Sequence, residues 1–335
     1  KDMSLEQIPN NNLNNISPQE EFLRSKEDIE KTDFDLIKLR HLTSLLAEKQ
    51  KQENPELPID TETARLNMDD YVENKVFSKE EVEGIKETVK ELEAKFLDKI
   101  DSSNIHEKIQ QEINGEKVEL LTAIVLYKFL KDKFIITRSS RYDDIDNGTD
   151  TIIFNKTTGQ IVCTLDESGV LIGQYADRKK LKILEKNEKG GTRLKFGLIL
   201  TKDSEGTPHI QGGSVANIPI FDILMDSNEV NKHLLEVQNN LDHVSNFEHT
   251  LFRYFAQSID FQAKQMQDPE LKIPSNIKQL AQEFRSEIER LFPNILYHDD
   301  IIEQRKKGIL KPEFYTNSIK ISKPEERDAF REKLK

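Results

Sequence analysis

The sequence predicts a mixed α/β protein, in which a central α-β-β-β-α-β unit with a mixed sheet is flanked by helical regions. Three observations lead there. A helical stretch with a wide apolar stripe, residues 116–131, is followed by three short β-branched runs at 134–138, 151–154 and 160–165. The last two runs are joined by Lys156-Thr-Thr-Gly159, whose glycine can take the positive φ of a hairpin turn. Before and after this centre, apolar residues recur at helical spacing and are interrupted by prolines.

Taken in order, residues 1–20 are Asn-rich without periodicity and read as a disordered arm. A helical region follows over 21–110. In it Phe22, Ile29, Phe34, Ile37, Leu39, Leu42, Leu45 and Leu46 fall partly at helical spacing, and 53–69, with two prolines, reads as a linker. Ser78 with Glu81 forms a capping-box start for a helix to about Ile100. The α/β unit spans 111–226. Its first helix carries Val118, Leu121, Val125 and Phe129 on a stripe widened by Ile124, Leu126 and Leu130. A second helix is expected over 177–188, a fourth strand at 194–200 and a fifth at 217–224, where Pro219 points to an edge or a strand start. From 227 to 335 the pattern is helical to about Lys307, broken at Pro269, Pro274 and Pro293, and 311–335 reads as an extended segment with a short helix. No fixed-period repeat is present.

Composition narrows the function. Hydrophobic residues make up 36% and charged residues 33%, so the chain is globular but polar. No apolar run of about 18 residues could span a membrane. The start, Lys1-Asp2-Met3-Ser4, is unlike a secretory signal, and the absence of an initiator Met suggests a trimmed chain. One cysteine, Cys163, excludes an intramolecular disulfide framework and a cysteine-based zinc site, which fits a reducing cytoplasm. The net charge of −12 argues against coating nucleic acid, although it leaves local phosphate contact open. Residues 178–195 concentrate eight Lys or Arg against Glu185 and Glu188. This strip is either a solvated face or a phosphate-contacting surface for nucleic acid.

Chemistry concentrates between Arg138 and Glu167. Asp143, Asp144, Asp146 and Asp150 crowd into eight residues and repel one another unless a cation sits among them. If residues 155 and 160 pair across the turn, Asp150 lies opposite Leu165 and Asp166 points to the other face. A bulge at Gly159 would instead set Asp150 opposite Asp166. Paired carboxylates at a sheet end suit Mg²⁺ or Mn²⁺, which keep several waters and can orient one for attack. A calcium-hand loop fails, because its third and twelfth positions would be Ile145 and Phe154. An aspartyl-phosphatase motif fails as well, since Asn147 interrupts it. Plain turn chemistry accounts for Asp146-Asn147-Gly148 but not for acids at both strand ends.

The order of a helix with an internal Glu, a strand, an Asp on a hairpin strand and an acid ending the next strand resembles the PD-(D/E)XK nuclease superfamily over residues 116–225. The block is also similar to a DD-x-x-x-N-G-x-D … D-x-[ST] pattern in bacterial proteins that look like degenerate members. The resemblance implies Glu119 or Glu116 as the helix acid, Asp150 as the first strand acid and Asp166 as the second. The motif lysine, two positions further, falls on Ser168, so Lys179 or Lys180 would supply the ammonium from the following helix. In that reading Asp150, Asp166 and Glu119 hold Mg²⁺, Lys179 or Lys180 stabilises charge, and Arg138 and Arg141 steer phosphate, with Asp143, Asp144 and Glu167 completing the acidic block. The alternative is a non-catalytic interaction protein on a decayed core, whose helical flanks bind a partner protein or a second copy.

Other candidates carry less. His243 and His249 are six apart, off metal-ligand spacing on a helix. His209 sits in a Thr-Pro-His-Ile-Gln-Gly-Gly stretch read as a loop, and no phosphate-loop or dinucleotide fingerprint surrounds the Gly pairs. Cys163 alternates into a strand without a paired His and reads as core. The stripe from Leu234 to Leu251 reads as core or interface.

Overall fold

In a computed structural model the chain is described over residues 17–169, 174–202, 205–293 and 295. The mixed α/β class holds. Most of the expected N-terminal arm, the helical stretch beyond 295 and the C-terminal segment lie outside the described residues.

Two helices lead in. Ser17 caps α1 (Pro18–Thr32) through a complete capping box with Glu20, and Pro18 sits in the first turn, where its missing N–H costs nothing. Asp33 then caps α2 (Phe34–Glu53) by accepting the Leu36 N–H. After the short α3 (Asp70–Glu73), Ser78 opens α4 (Lys79–Leu97). Only half of the expected box forms here: Ser78 accepts the Glu81 N–H, while the Glu81 carboxylate goes to Lys195. The central helix α5 (Ile105–Leu130) starts well before residue 116 and runs through the expected boundary at 110. From Lys117 to Leu130 every residue is buried except Glu119 and Phe129. At about 1.5–3 kcal/mol for each large apolar side chain buried, this helix is the axis on which the rest assembles. One apolar core runs from Phe22 to Ile288, joining the flanks to the α/β unit.

The sheet follows. β1 (Phe134–Arg138), β2 (Thr151–Asn155) and β3 (Gln160–Ser168) form an antiparallel meander, and β6 (Ile220–Leu224) adds in parallel beside β3. Between β1 and β2 the acidic block coils into α6 (Arg141–Asn147), capped by Ser140 and ended by Gly148 at φ 52°. Gly159 takes φ 69° in the hairpin turn, as its position demands. After α7 (Gln174–Glu188), β4 (Thr192–Lys202) does not enter the sheet. It pairs instead with β5 (Pro208–Ile218) as a separate two-stranded ribbon. The stretch around His209, read above as a loop, is therefore strand. Alternation is weak there because Gly212 and Gly213 have no side chains to show it. The expected fifth strand divides at Pro219 into the end of β5 and all of β6. The C-terminal region gives α8 (Ser227–His233), a 3-10 turn, α9 (Asn246–Met266) and α10 (Ser275–Leu291).

Both outer edges of the four-stranded sheet are closed by side chains. Gln50 of α2 makes two bonds to the outward backbone of Ile136 in β1, 2.7 and 2.9 Å. On the other side, the Asn187 amide pairs with both backbone groups of Ile220 and the Gln262 amide with both of Asp222. The Tyr254 hydroxyl donates to the Leu224 carbonyl. Beyond Gln50, the segment expected to be a linker lies along β1: Arg138 N–H donates to Ala64 O and Leu66 N–H to Arg138 O. Arg65 thereby forms a parallel bridge with Arg138.

Candidate functional site

The buried helix α5 exposes one polar position toward the start of β2, and that position is Glu119. One carboxylate oxygen each from Glu119, Asp144 and Asp150 lies within 4.8 Å of the others, the one such acidic group found among the described residues. Asp144 arrives on α6 because Ser140 and Gly148 fix both ends of that helix. Asp150 is held at the mouth of β2 by its own N–H on Leu165 O, 2.9 Å, and by the Ser139 N–H on its carbonyl, 2.8 Å. Its Oδ2 accepts the Glu167 N–H at 2.7 Å.

Asp166 does not join this group. Asn155 pairs directly with Gln160, and a register shift between Ile153 and Phe154, with Val162 rather than Gly159 as the extra residue, sets Thr151 opposite Leu165. Continued regularly this would set Asp150 opposite Asp166, but Asp150 lies outside β2 and its N–H goes to Leu165 O. Successive side chains of a strand point to opposite faces. Asp166 turns to α7, where Lys179 pairs with it at 2.5 Å, beside Asp222 of β6. Glu167 turns the other way, toward α5 and Asp150. The strand acid expected at Asp166 is thus replaced by its neighbour, and the residue two positions beyond Glu167 is Gly169. Sequence reasoning missed this because Asp150 leaves the regular ladder at the mouth of β2, so its neighbour across the strands does not follow from the register.

The carboxylates of Asp150 and Glu167 are each only 6% exposed. Neither Glu167 oxygen has a hydrogen-bond partner of proper geometry. Among the described residues no ion pair reaches either acid. Burial, followed by the charges of Glu119 and Glu167, holds the Asp150 carboxyl well above the usual range. Burial pushes Glu167 up to about 7, although the nearby Thr151 hydroxyl and Asp150 partly hold it down.

Arginines line the outer side. Arg138 Nη2 meets Glu119 Oε2 at 2.6 Å, and its buried Nε has no partner. Arg65 Nη2 lies 3.4 Å from the same oxygen and 2.9 Å from Asp144 Oδ2, which Arg141 also reaches at 3.0 Å. Burial and the neighbouring Arg138 lower the Arg65 pKa, and the carboxylates oppose that. Arg65 had no signal in the sequence: it stands in a stretch without periodicity and enters only because that stretch pairs with β1. The residues open onto a cavity of about 550 Å³ whose walls include Arg40, Glu93 and Phe96.

The remaining expected residues have other duties. Glu116 is taken by Arg40 in a two-point pair, 2.8 and 2.9 Å, which leaves Glu119 as the helix acid of the group. Asp143 is fully buried and accepts the N–H groups of Lys195 and Phe196 along with Ser140 and Asn147, stitching α6 to β4. Lys179 also donates to the Glu167 carbonyl, and Lys180 stands near Asp222, whose pKa burial raises against the opposing charge of Lys180. Of the basic strip, Lys179, Lys186 and Lys195 turn inward to Asp166, Asn147 O and Glu81, while Arg178, Lys182, Lys189 and Arg193 stay exposed. No described helix is long and apolar enough to cross a membrane. Compared with protein-family models, curated proteins and solved structures, the chain finds no match in any of the three.

Proposed function

We propose that this chain is a metal-dependent, nuclease-like hydrolase of phosphodiester bonds, with Glu119, Asp144, Asp150 and Glu167 as the cation-binding acids. The observation that carries the reading is Glu167: a carboxylate buried to 6% exposure, both oxygens unpartnered, set against a second buried acid. Leaving such groups ionised and uncompensated is costly, and a bound cation relieves that cost where a retained proton otherwise would. An all-carboxylate donor set favours hard Mg²⁺ or Mn²⁺. A cation held there would supply Lewis-acid stabilisation and a more acidic bound water. The chain's own residues contribute the rest. The guanidiniums of Arg138, Arg65 and Arg141 bind phosphate oxygens, and Lys179 anchors the end of β3 from a shifted position, through the Glu167 carbonyl. The substrate is DNA or RNA, and we place the chain in the cytoplasm, where a lone buried cysteine stays reduced.

A second reading has its own support. Three arginines already neutralise Glu119 and Asp144, as they would in a core retained only as scaffold. Partner binding would then fall to the helical flanks, where Phe34 is 86% and Leu235 84% exposed. Calorimetric titration of Mn²⁺ and Mg²⁺ into wild type and Asp150→Asn, followed by cleavage assays on single- and double-stranded DNA and RNA, separates the two. The nuclease reading expects saturable binding and metal-dependent cleavage, both lost in the folded variant. Absence of binding to wild type would leave the scaffold reading.

A further inference from the structure

We propose that Arg65 and Arg141, with Arg138, occupy the cation's place at Glu119 and Asp144, so that a divalent cation and a single-nucleotide phosphate ester bind this site cooperatively. The inference rests on the metal site proposed above and adds its substrate unit and its coupling.

The argument begins with shared atoms. Glu119 Oε2 receives Arg138 and Arg65, while Asp144 Oδ2 receives Arg65 and Arg141. Both carboxylates belong to the three-acid group that would bind the cation. Cation and guanidiniums therefore compete for the same acids, and like charges a few ångströms apart repel. A cation arriving alone must displace fork-shaped donors that are largely buried: the Arg65 side chain is 15% exposed and Arg138 only 6%. Stranding them without acceptors is expensive. A phosphate removes that cost, because planar guanidiniums match its oxygens two at a time. The Nε of Arg138, buried and without a partner, is one such donor already in waiting.

The space fits one unit. At about 550 Å³ the cavity is within the size range of small-ligand sites. Arg65, Arg138 and Arg141 line it. Leu92 and Phe96 of α4 share that lining, and Phe96 is 36% exposed. An aromatic face beside a phosphate-binding end is the arrangement that holds an unpaired base. The occupant is thus a nucleoside monophosphate or the terminal nucleotide of a single strand.

The test is Mn²⁺ titration of the full chain, alone, with thymidine 5′-monophosphate and with inorganic phosphate, each corrected for Mn²⁺ bound by the free anion. Wild type should bind Mn²⁺ about tenfold more tightly with the nucleotide. Arg65→Gln should bind Mn²⁺ alone more tightly than wild type and lose most of the enhancement. Arg141→Gln, at a half-exposed position that puts folding at less risk, should shift in the same direction. Enhancement by inorganic phosphate equal to that by the nucleotide would overturn the single-nucleotide assignment. Mn²⁺ binding that neither variant alters would overturn the coupling and leave the metal site standing. Absence of Mn²⁺ binding to wild type and both variants would overturn the metal site and this inference together.

Discussion

Replacing Glu167 with Gln should make the metal-free protein more stable above neutral pH, and the size of the gain follows from its surroundings. Burial raises the folded pKa from the ordinary 4.5 to about 7. A rise of roughly two and a half units corresponds to about 3 kcal/mol of preference for the protonated carboxyl. Because the folded value is the higher one, that stability is fully present below about pH 4.5 and has been lost once the pH rises through about 7. Gln carries no charge and keeps nearly the same shape, so it escapes the loss. It also relieves Asp150, one of whose repelling charges is Glu167. Urea denaturation in the presence of a chelator should show little difference between Glu167→Gln and wild type near pH 4.5. An advantage of up to about 3 kcal/mol should develop by pH 8. Added Mg²⁺ should then stabilise wild type and leave the variant unchanged. A variant that is no more stable at pH 8 than wild type, or a difference that ignores pH, would refute the reasoning.

Two further substitutions test the frame around the site. Lys128 and Glu248 pair at 2.5 Å with both side chains wholly buried, so Lys128→Met should cost about 3–5 kcal/mol by leaving a buried carboxylate uncompensated. Adding Glu248→Gln should recover part of that in denaturant melts, and a single variant of wild-type stability would contradict it. Asp143→Ala strands the N–H groups of Lys195 and Phe196, each worth about 1–3 kcal/mol. A loss under about 1 kcal/mol in the same melts would show that α6 is anchored by something else.

The helices and the meander were readable because their signals are local. Ser78 and the Lys156-Thr-Thr-Gly159 turn act within a few residues, and the apolar face of α5 repeats often enough to identify itself; the Ser17–Glu20 box that starts α1 was instead read as part of the arm. The site was readable only in part. Asp150 could be named from its place at the start of an apolar strand run, and Glu119, beside Glu116, only through the family resemblance. The choice between Asp166 and Glu167 depended instead on Asp150 leaving the regular ladder, with its N–H on Leu165 O. Local acidity also misdirected: Asp143, in the midst of the block, is a backbone clamp. Arg65 was beyond reach, since its place depends on pairing with a strand seventy-odd residues away. β4 was read at 194–200, but its partner β5 was missed for the related reason that Gly212 and Gly213 blank the alternation that marks a strand.

The amides of Gln50, Asn187 and Gln262 limit how this protein can assemble. A sheet recruits another chain by offering unpaired backbone along an outer strand, the route taken by peptide docking through strand addition and by runaway fibre growth. Here the outward groups of Ile136, Ile220 and Asp222 are already satisfied by side chains from three different helices. An incoming strand would have to evict those amides before gaining a single ladder bond. Association with another copy or another protein through this four-stranded sheet is thereby disfavoured in both directions.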